Sequence, residues 1–200
     1  MNVPRWIASA LGPKGGQVAV IVLSMPVIYL FGFREMRFFL VPSASMAPSL
    51  QKGDQIVTLN EKKYDRGDVV VLEDPESRGE FIVKRIVAVG GDTVWVRDGA
   101  LVINGRPISE PYLLEPPKYQ MGPVRVSEGC FFVLGDNRNN SDDSHEWVER
   151  GLDAHPDAQR IVGKVLYIYY PYGRAGHVPS YSLNPASVVD VCDVRPCSSM

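Results

Sequence analysis

The chain has 200 residues and a mass of 22.2 kDa, with 45% hydrophobic and 22% charged residues. This composition is typical of a folded globular protein and excludes a disordered one. The 21 basic and 23 acidic side chains give a formal net charge of -2, so the protein has no global positive field to attract nucleic acid. We therefore predict no nucleic-acid partner, and any ligand must be recognised locally.

An uncharged segment, QVAVIVLSMPVIYLFGF, occupies residues 17–33. Its length approaches the roughly 20 apolar residues that a bilayer-spanning helix needs, and Pro26 is tolerated inside such a helix. We therefore predict a short leader over residues 1–16 and a transmembrane anchor with its juxtamembrane segment over residues 17–41. The lipid bilayer is then one predicted partner.

Two other interpretations of this segment stay open. A cleaved secretory signal normally ends in a small-x-small cleavage site, and no such site precedes Arg34. A buried core helix is the second alternative. Because a leader of about sixteen residues has no room for a long organelle transit peptide, we expect the membrane to be a bacterial plasma membrane.

Residues 42–172 contain seven short runs rich in β-branched residues, separated by turn residues. The runs are DQIVTL, DVVVLE, EFIVKRIVAV, DTVWVR, ALVING, CFFVLGD and IVGKVLYIYY. Asp98-Gly99 is typical of a two-residue hairpin turn, and Asn104-Gly105 predicts another reversal. Because helical periodicity is scarce, we predict a mainly β protein: a compact antiparallel β domain over residues 42–172, tethered by one N-terminal transmembrane helix. We expect residues 173–200 to form a loosely structured tail.

Two serines follow the apolar segment in the sequence PSASMAPS. Each proline fixes its own φ and restrains the residue before it, so Ser43 and Ser45 are predicted to lie on a rigid, non-helical stretch. An ordinary linker turn has the same composition. These serines alone therefore do not establish a function.

Lys84 lies in the run FIVKRIVAV, where strand alternation places it on one face with Ile82 and Ile86. Burial disfavours the ammonium form and lowers the pKa of a lysine. A buried Lys84 would then be a neutral amine able to accept a proton near neutral pH, which Arg85 could not do. The alternative is a lysine that extends to solvent at a sheet edge.

A dense polar segment, GDNRNNSDDSH, occupies residues 135–145 directly after an apolar run. So many hydrogen-bonding side chains predict a folded polar network. Alternating acidic and amide oxygens are also calcium ligands, but the glycine and terminal glutamate of an EF-hand loop are missing from their places. The three cysteines, without a CxxC pair, also argue against a zinc site, although a small loop closed by Cys192 and Cys197 stays open. We expect neither metal nor cofactor.

Together these segments resemble type I signal peptidases. The family pattern is a membrane anchor, then Ser-x-Ser-Met-x-Pro, then Lys-Arg in a strand leading to Gly-Asp, and then Gly-Asp-Asn-Arg-x-Asn-Ser-x-Asp-Ser. These motifs stand here, in the same order, as Ser43-Ala44-Ser45-Met46-Ala47-Pro48, Lys84-Arg85 running to Gly91-Asp92, and Gly135 to Ser144. The ordered set spans residues 17–144, so an accidental match is very improbable.

The resemblance implies a role for each matching residue. Ser45 would be the nucleophile and Lys84 its general base, a serine-lysine variant of triad chemistry. The Ser45 backbone N–H and the Ser43 hydroxyl would stabilise the oxyanion. The β domain would accordingly be a catalytic domain.

Three residues of the polar segment would support this site. By resemblance, Ser141 orients the lysine amine, while Asp143 and Arg138 support the site, for which we expect an ion pair between them that keeps the loop closed. His145 stands where the family commonly has arginine, so this sequence departs from the family pattern at the position of a supporting ion pair. The proposed nucleophile and base are unaffected by this departure.

The resemblance implies a membrane-bound serine endopeptidase that removes signal peptides from exported preproteins, with its catalytic domain on the extracytoplasmic side. It would cut after small residues at positions -1 and -3, with the substrate bound as an extended strand. Candidates for the floor of the small-residue pockets are Met46, Phe81, Ile82 and Ile86. We expect a monomer whose partners are signal-peptide-bearing preproteins.

The alternative from another functional class is a non-catalytic, membrane-anchored β module that binds extended peptides. A Ser-His-Asp hydrolase is disfavoured, because the chain has no G-x-S-x-G nucleophile elbow. Only a measurement of activity separates the endopeptidase from the binding module.

Overall fold

The computed structural model describes residues 24, 35–77, 79–152, 155–181 and 183. The chain divides into two compact units, Met1–Met36 and Arg37–Met200. Almost all of the described residues belong to the second unit, which carries the β structure. Within these described ranges, no helix combines the length and hydropathy that a bilayer span requires.

Several predicted features lie outside the described residues. The predicted leader lies there entirely, and so does the apolar stretch 17–33 apart from Ser24. The same is true of Cys192 and Cys197. The anchor therefore stays a prediction, and the possibility of a bond between these cysteines stays open.

The described part of the chain is mainly β, as predicted. Its strands are β1 Met36–Leu40, β2 Gln55–Leu59, β3 Val69–Glu73, β4 Phe81–Val89, β5 Thr93–Arg97, β6 Ala100–Ile103, β7 Arg106–Pro107, β8 Met121–Arg125, β9 Phe131–Leu134, β10 Ile161–Tyr170 and β11 Gly176–His177. The helical elements are α1, Ser144–Glu149, and two 3-10 turns, Ala158–Arg160 and Tyr172–Arg174. Each of the seven predicted runs contains one of these strands, which confirms the strand predictions.

The strands form two antiparallel sheets. The larger has the order β1-β2-β10-β3-β4-β9, with β11 also paired to β10, and the smaller has the order β7-β6-β5-β8. Both predicted hairpin turns are present in the smaller sheet, where Asp98 and Asn104 have φ values of 51° and 52°. Positive φ at the first turn residue is what a type I′ hairpin requires.

The larger sheet buries apolar side chains on both faces, so its central strands read as continuous apolar runs. In β3, Val69 and Val71 pack in a cluster with Met46 and Leu50. The alternate residues of β3 and β4 pack in a second cluster around Trp147 of α1; its buried members are Tyr64, Val70, Leu72, Ile86, Phe131, Val133, Trp147 and Ile161. This second cluster lies beside the strand segment that carries Lys84, whose direct partner on β3 is Val70.

Two segments are more ordered than the sequence indicates. Residues 36–40, which we expected to continue the juxtamembrane segment, form β1 at the edge of the larger sheet. The described part of the predicted loose tail, residues 173–181 and 183, packs on the domain, so the prediction is wrong for these residues. Strand β11 pairs with β10, Arg174 forms an ion pair with Asp54 at 2.9 Å, and Leu183 is buried. A two-residue strand and single side chains carry these contacts, and they are too short to leave a periodic signal in the sequence.

A buried ion pair joins the larger sheet to the polar segment that follows β9. The guanidinium of Arg85 donates to both carboxylate oxygens of Asp136 at 2.8 and 2.7 Å, and neither side chain is more than 1% exposed. Arg85 also donates to the Gly67 carbonyl at 2.7 Å and stacks 4.2 Å from the centre of the Tyr112 ring. Since Arg85 adjoins Lys84, this pair fixes the strand that carries the lysine.

Removing the carboxylate from this pair is predicted to destabilise the fold. Asp136→Ala leaves the Arg85 guanidinium buried without a counter-ion, so the free energy of unfolding should fall by about 3–5 kcal/mol. Urea unfolding of the full chain in detergent, followed by near-UV circular dichroism, measures this change.

The matched control is the exposed ion pair between Arg97 and Asp98, whose side chains are 73% and 78% exposed. Arg97→Ala should change the free energy of unfolding by no more than about 0.5 kcal/mol. Equal losses in the two variants would contradict the structural role of the buried pair.

Candidate active site

The two serines lie in a tight turn between β1 and β2 that is held from both sides. Beneath it, Met46 is fully buried in the core. Above it, the backbone N–H of Asn137 donates to the Ser45 carbonyl at 3.0 Å, and the Asn137 side chain donates to the Ala44 carbonyl at 3.2 Å. The predicted rigid, non-helical stretch is therefore present, and the polar segment after β9 fixes its position.

Lys84 points from the middle of β4 towards this turn. Its side chain is buried, and Nζ lies 3.1 Å from the Ser45 Oγ and 3.1 Å from the Ser141 Oγ. The structure thus brings Ser45, Lys84 and Ser141 together, although Lys84 is 39 residues from Ser45 and 57 residues from Ser141 in sequence. The alternative of a lysine extending to solvent is wrong, because Lys84 is only 3% exposed.

Burial lowers the pKa of this lysine. Desolvation lowers the pKa of Lys84 below its ordinary value, while the charges of Asp143, Asp142 and Asp74 offset part of that shift. At a given pH, a larger fraction of this amine is therefore uncharged and available to accept a proton than in an exposed lysine. At 3.1 Å, the Ser45 hydroxyl is within hydrogen-bond reach of that acceptor.

Ser141 reaches the lysine because Gly135 has no side chain. A Cβ at position 135 would lie 2.3 Å from the Ser141 Oγ and 2.5 Å from the Ser45 carbonyl oxygen, closer than any non-bonded contact allows. Glycine therefore permits the end of β9, the serine turn and Ser141 to approach one another. This contact places Ser141 on the side of Nζ where it can orient the amine.

Asp143 lies behind Ser141 and caps helix α1. Its Oδ2 accepts from the Gly135 N–H at 2.8 Å, and its Oδ1 accepts from the backbone N–H of His145 at 3.2 Å. Burial raises the pKa of Asp143, but hydrogen bonds from His145 and Ser141 and the neighbouring positive charges outweigh burial and hold it below the usual range. The buried carboxyl is therefore ionised at neutral pH.

The predicted ion pair between Arg138 and Asp143 is not present. Arg138 is fully buried but forms its ion pair with Glu110, to which it donates at 2.9 and 2.5 Å. The partner of Asp143 is instead the ring of His145, at 2.7 Å. The pairing expected from the resemblance is therefore wrong, because Glu110 reaches the polar segment from a loop 28 residues earlier in the sequence.

Ser45 and Lys84 line a cleft of about 310 Å³. Its lining consists of Ser43, Ala44, Ser45, Asp74, Ile82, Lys84, Asn140, Ser141, Asp142 and Trp147. Four of these lining residues were not predicted from the sequence: Asp74, Asn140, Asp142 and Trp147. The last three lie in or next to the polar segment after β9, whereas Asp74 carries no signal beyond its place in a turn after β3.

Only one of the four predicted pocket residues lines this cleft. Ile82 does so, whereas Met46 and Ile86 are buried in the core on opposite faces of the larger sheet. Phe81 is 41% exposed and packs edge-on against Phe39 at 5.5 Å. Phe81 projects from the opposite face of β4 because successive side chains of a strand alternate.

Ser43 lies beside the nucleophile. Its hydroxyl is 3.1 Å from the Ser45 Oγ and 3.5 Å from the Ser45 backbone nitrogen. Two hydrogen-bond donors, the Ser43 hydroxyl and the Ser45 N–H, are thus close to the oxygen that would attack. Within the described residues, no cluster of three or more His, Cys, Asp and Glu side chains is arranged to hold a metal ion.

Comparison with known proteins identifies the family. The sequence profile described as "Signal peptidase, peptidase S26" matches residues 15–170. "Probable signal peptidase I-1" of Synechocystis sp. is 35% identical over 85% of this chain and 88% of its own length. "Thylakoidal processing peptidase 1, chloroplastic" of Arabidopsis thaliana is 41% identical over 66% of this chain and 41% of its own length.

A solved signal peptidase I from Enterococcus faecalis aligns with a TM-score of 0.44 and 30% identity, covering 52% of this chain and 97% of that one. The profile covers well over half of the chain, and the Synechocystis relative aligns over most of both sequences. The chain therefore belongs to the S26 family of signal peptidases.

Proposed function

We propose that this protein is a membrane-anchored serine endopeptidase that removes signal peptides from exported preproteins, with Ser45 as nucleophile and Lys84 as general base. The observation that carries the proposal is the 3.1 Å separation between a buried amine and the Ser45 hydroxyl at the floor of an open cleft. Burying a lysine beside a serine, without a counter-ion, costs folding free energy, so a purely structural role does not explain this placement. Perturbed groups of this kind, placed in a cleft, are typical of catalytic sites.

The neutral Lys84 amine takes the proton of Ser45 as Oγ attacks the scissile carbonyl carbon. The tetrahedral intermediate then collapses, the peptide C–N bond breaks, and the ammonium of Lys84 returns the proton to the departing amine. Water, deprotonated by the same amine, next hydrolyses the acyl-enzyme ester and regenerates Ser45. The cleaved signal peptide leaves with a carboxylate end.

The oxyanion of the intermediate would be held by the Ser45 N–H and the Ser43 hydroxyl. Both donors lie next to the attacking oxygen, and in the free enzyme the Ser43 hydroxyl contacts Ser45 itself. Substrate binding would redirect it to the developing negative charge. Removing one such donor typically costs about 3 kcal/mol of transition-state stabilisation.

The cleft suits an extended peptide whose side chains near the cut are small. Ile82 and Trp147 bound it with bulky apolar groups, while Ala44 lines it close to Ser45. Large side chains at positions -1 and -3 would meet these walls. The predicted anchor, which precedes β1 in the sequence, would hold the catalytic domain at the outer face of a bacterial plasma membrane, where the substrate's own apolar segment confines the cleavage site.

Both Ser45 and Lys84 are predicted to be essential for cleavage. Ser45→Ala and Lys84→Ala should each abolish cleavage of a model secretory precursor in detergent, because one lacks the nucleophile and the other lacks the base. Mass analysis of the new amino terminus measures cleavage, and near-UV circular dichroism checks that each variant is folded.

The matched controls are Ser109→Ala and Lys52→Ala, which change exposed residues outside the cleft. Both should cleave at the rate of the unaltered protein. Retained cleavage in either dyad variant would overturn the assignment, and peptide binding without cleavage by the unaltered protein would favour the non-catalytic binding module.

The cleavage activity is predicted to fall at acidic pH. Because the pKa of Lys84 is lowered by burial, activity should be full above that pKa and fall as the pH drops through it and the amine becomes charged. The charge of Asp74 raises this pKa, so Asp74→Asn should move the acidic limb of the kcat/KM profile to lower pH.

The Asp74→Asn substitution conserves the local hydrogen bond. The backbone N–H of Glu76 donates to the Asp74 carboxylate at 2.8 Å, and the amide oxygen of asparagine can accept it in the same way. Asp98→Asn, at an exposed turn in the smaller sheet, is the control and should leave the profile unchanged. An acidic limb that stays in place in Asp74→Asn would contradict the electrostatic account of the base.

A further inference from the structure

His145 occupies a position that the dyad mechanism does not use. Its side chain is only 6% exposed, and its Nδ1 lies 2.7 Å from the Asp143 Oδ1. The imidazole stacks on the ring of Tyr119 with 3.9 Å between ring centres and 10° between ring planes. A side chain held by both a hydrogen bond and a stacking partner has one fixed orientation.

The chemistry of Asp143 fixes the direction of the hydrogen bond. The ionised carboxylate can only accept, so Nδ1 must carry the proton and donate it. Asp143 then accepts from His145 twice and also from the Gly135 N–H and from Ser141. A carboxylate has about four lone-pair positions, so this fully buried group is saturated.

A continuous chain of contacts links His145 to the proposed nucleophile. His145 holds Asp143, Asp143 accepts from Ser141, Ser141 lies 3.1 Å from the Lys84 Nζ, and Nζ lies 3.1 Å from the Ser45 Oγ. Loss of the first donor leaves a lone pair of a wholly buried carboxylate unsatisfied. The carboxylate would then interact more strongly with Lys84, whose charge already lowers the pKa of Asp143.

We propose that His145 is a positioning residue, whose Nδ1–H holds Asp143 in place and thereby keeps Ser141 and Lys84 aligned with Ser45. The inference rests on the proposed function and extends it by one residue. His145 touches neither the nucleophile nor the base, and it acts only through Asp143.

Other charged groups lie near the contacts that link His145 to Ser45, but they do not supply a hydrogen bond to Asp143. Lys84 also faces the carboxylates of Asp142 and Asp74, but Asp142 is paired with Arg150 at the rim. His145 also faces Glu146, whose Oε1 is 3.5 Å from Nε2. The other groups close to the imidazole are Tyr119, Lys118, Arg138, Glu149 and Arg150, which share a surface pocket with it. None of them donates to the Asp143 carboxylate.

Variants that move the donor by one atom position test the proposal. In His145→Asn the side-chain amide nitrogen can occupy the place of Nδ1, whereas in His145→Gln the amide extends towards the place of Nε2 and Glu146. His145→Leu keeps the approximate volume and has no donor. His177→Asn, at an exposed histidine of β11, is the control.

Each full-length variant is purified in detergent, and kcat and KM for a model precursor are measured from acidic to alkaline pH. We expect kcat to fall about tenfold in His145→Leu and His145→Gln, the loss of roughly one charged hydrogen bond, with KM little changed. In both, the acidic limb should move to higher pH, because the uncompensated Asp143 favours the ammonium form of Lys84. His145→Asn should restore both kcat and the limb.

A thermal unfolding scan of each variant separates positioning from folding. A residue that only stabilises the fold would lower the unfolding temperature without moving the acidic limb, and that result would overturn the proposal. Equal behaviour of His145→Asn and His145→Gln would also overturn it. If the unaltered protein does not cleave the precursor, the proposed function fails, and this inference fails with it.

Discussion

The proposed site depends on one physical constraint: an amine must be kept out of water while remaining next to a hydroxyl that is accessible from a cleft. Lys84 meets the first condition by lying within a strand whose neighbours are aliphatic, and Ser45 meets the second by lying in a turn at the floor of an open cleft. Burial alone would leave the lysine unsatisfied. The hydroxyls of Ser45 and Ser141 provide two hydrogen-bond partners without adding charge. The amine is thus stabilised in a form that can accept a proton.

The rest of the domain serves this placement. The larger sheet positions the lysine strand, and the ion pair between Arg85 and Asp136 joins that strand to the polar segment that supplies Ser141 and Asp143. The same segment grips the serine turn through Asn137. Three parts of the chain that are far apart in sequence therefore share one rigid hydrogen-bonded junction. Such saturated polar networks are costly to break at any single point.

Two buried charged side chains of the polar segment, Asp143 and Arg138, have ion-pair partners that the sequence did not indicate. Asp143 has a partner in His145, whose Nδ1 lies 2.7 Å from the carboxylate. Arg138 is buried without facing Asp143 at all, since Glu110 supplies its countercharge. Both of these buried charged side chains thus have partners other than the ones that the resemblance led us to expect.

The sequence by itself determined the mainly β architecture, both hairpin turns and the three segments that meet at the site, because strand alternation, turn residues and ordered motifs are local signals. It placed Lys84 on the face it shares with Ile82. Only the tertiary structure decided which charges pair, which apolar residues line the cleft and how the described residues after 172 pack. Ion-pair partners such as Arg138 and Glu110, and lining residues such as Asp74, are brought together by loops whose paths depend on long-range packing. No local pattern in the chain encodes those distances.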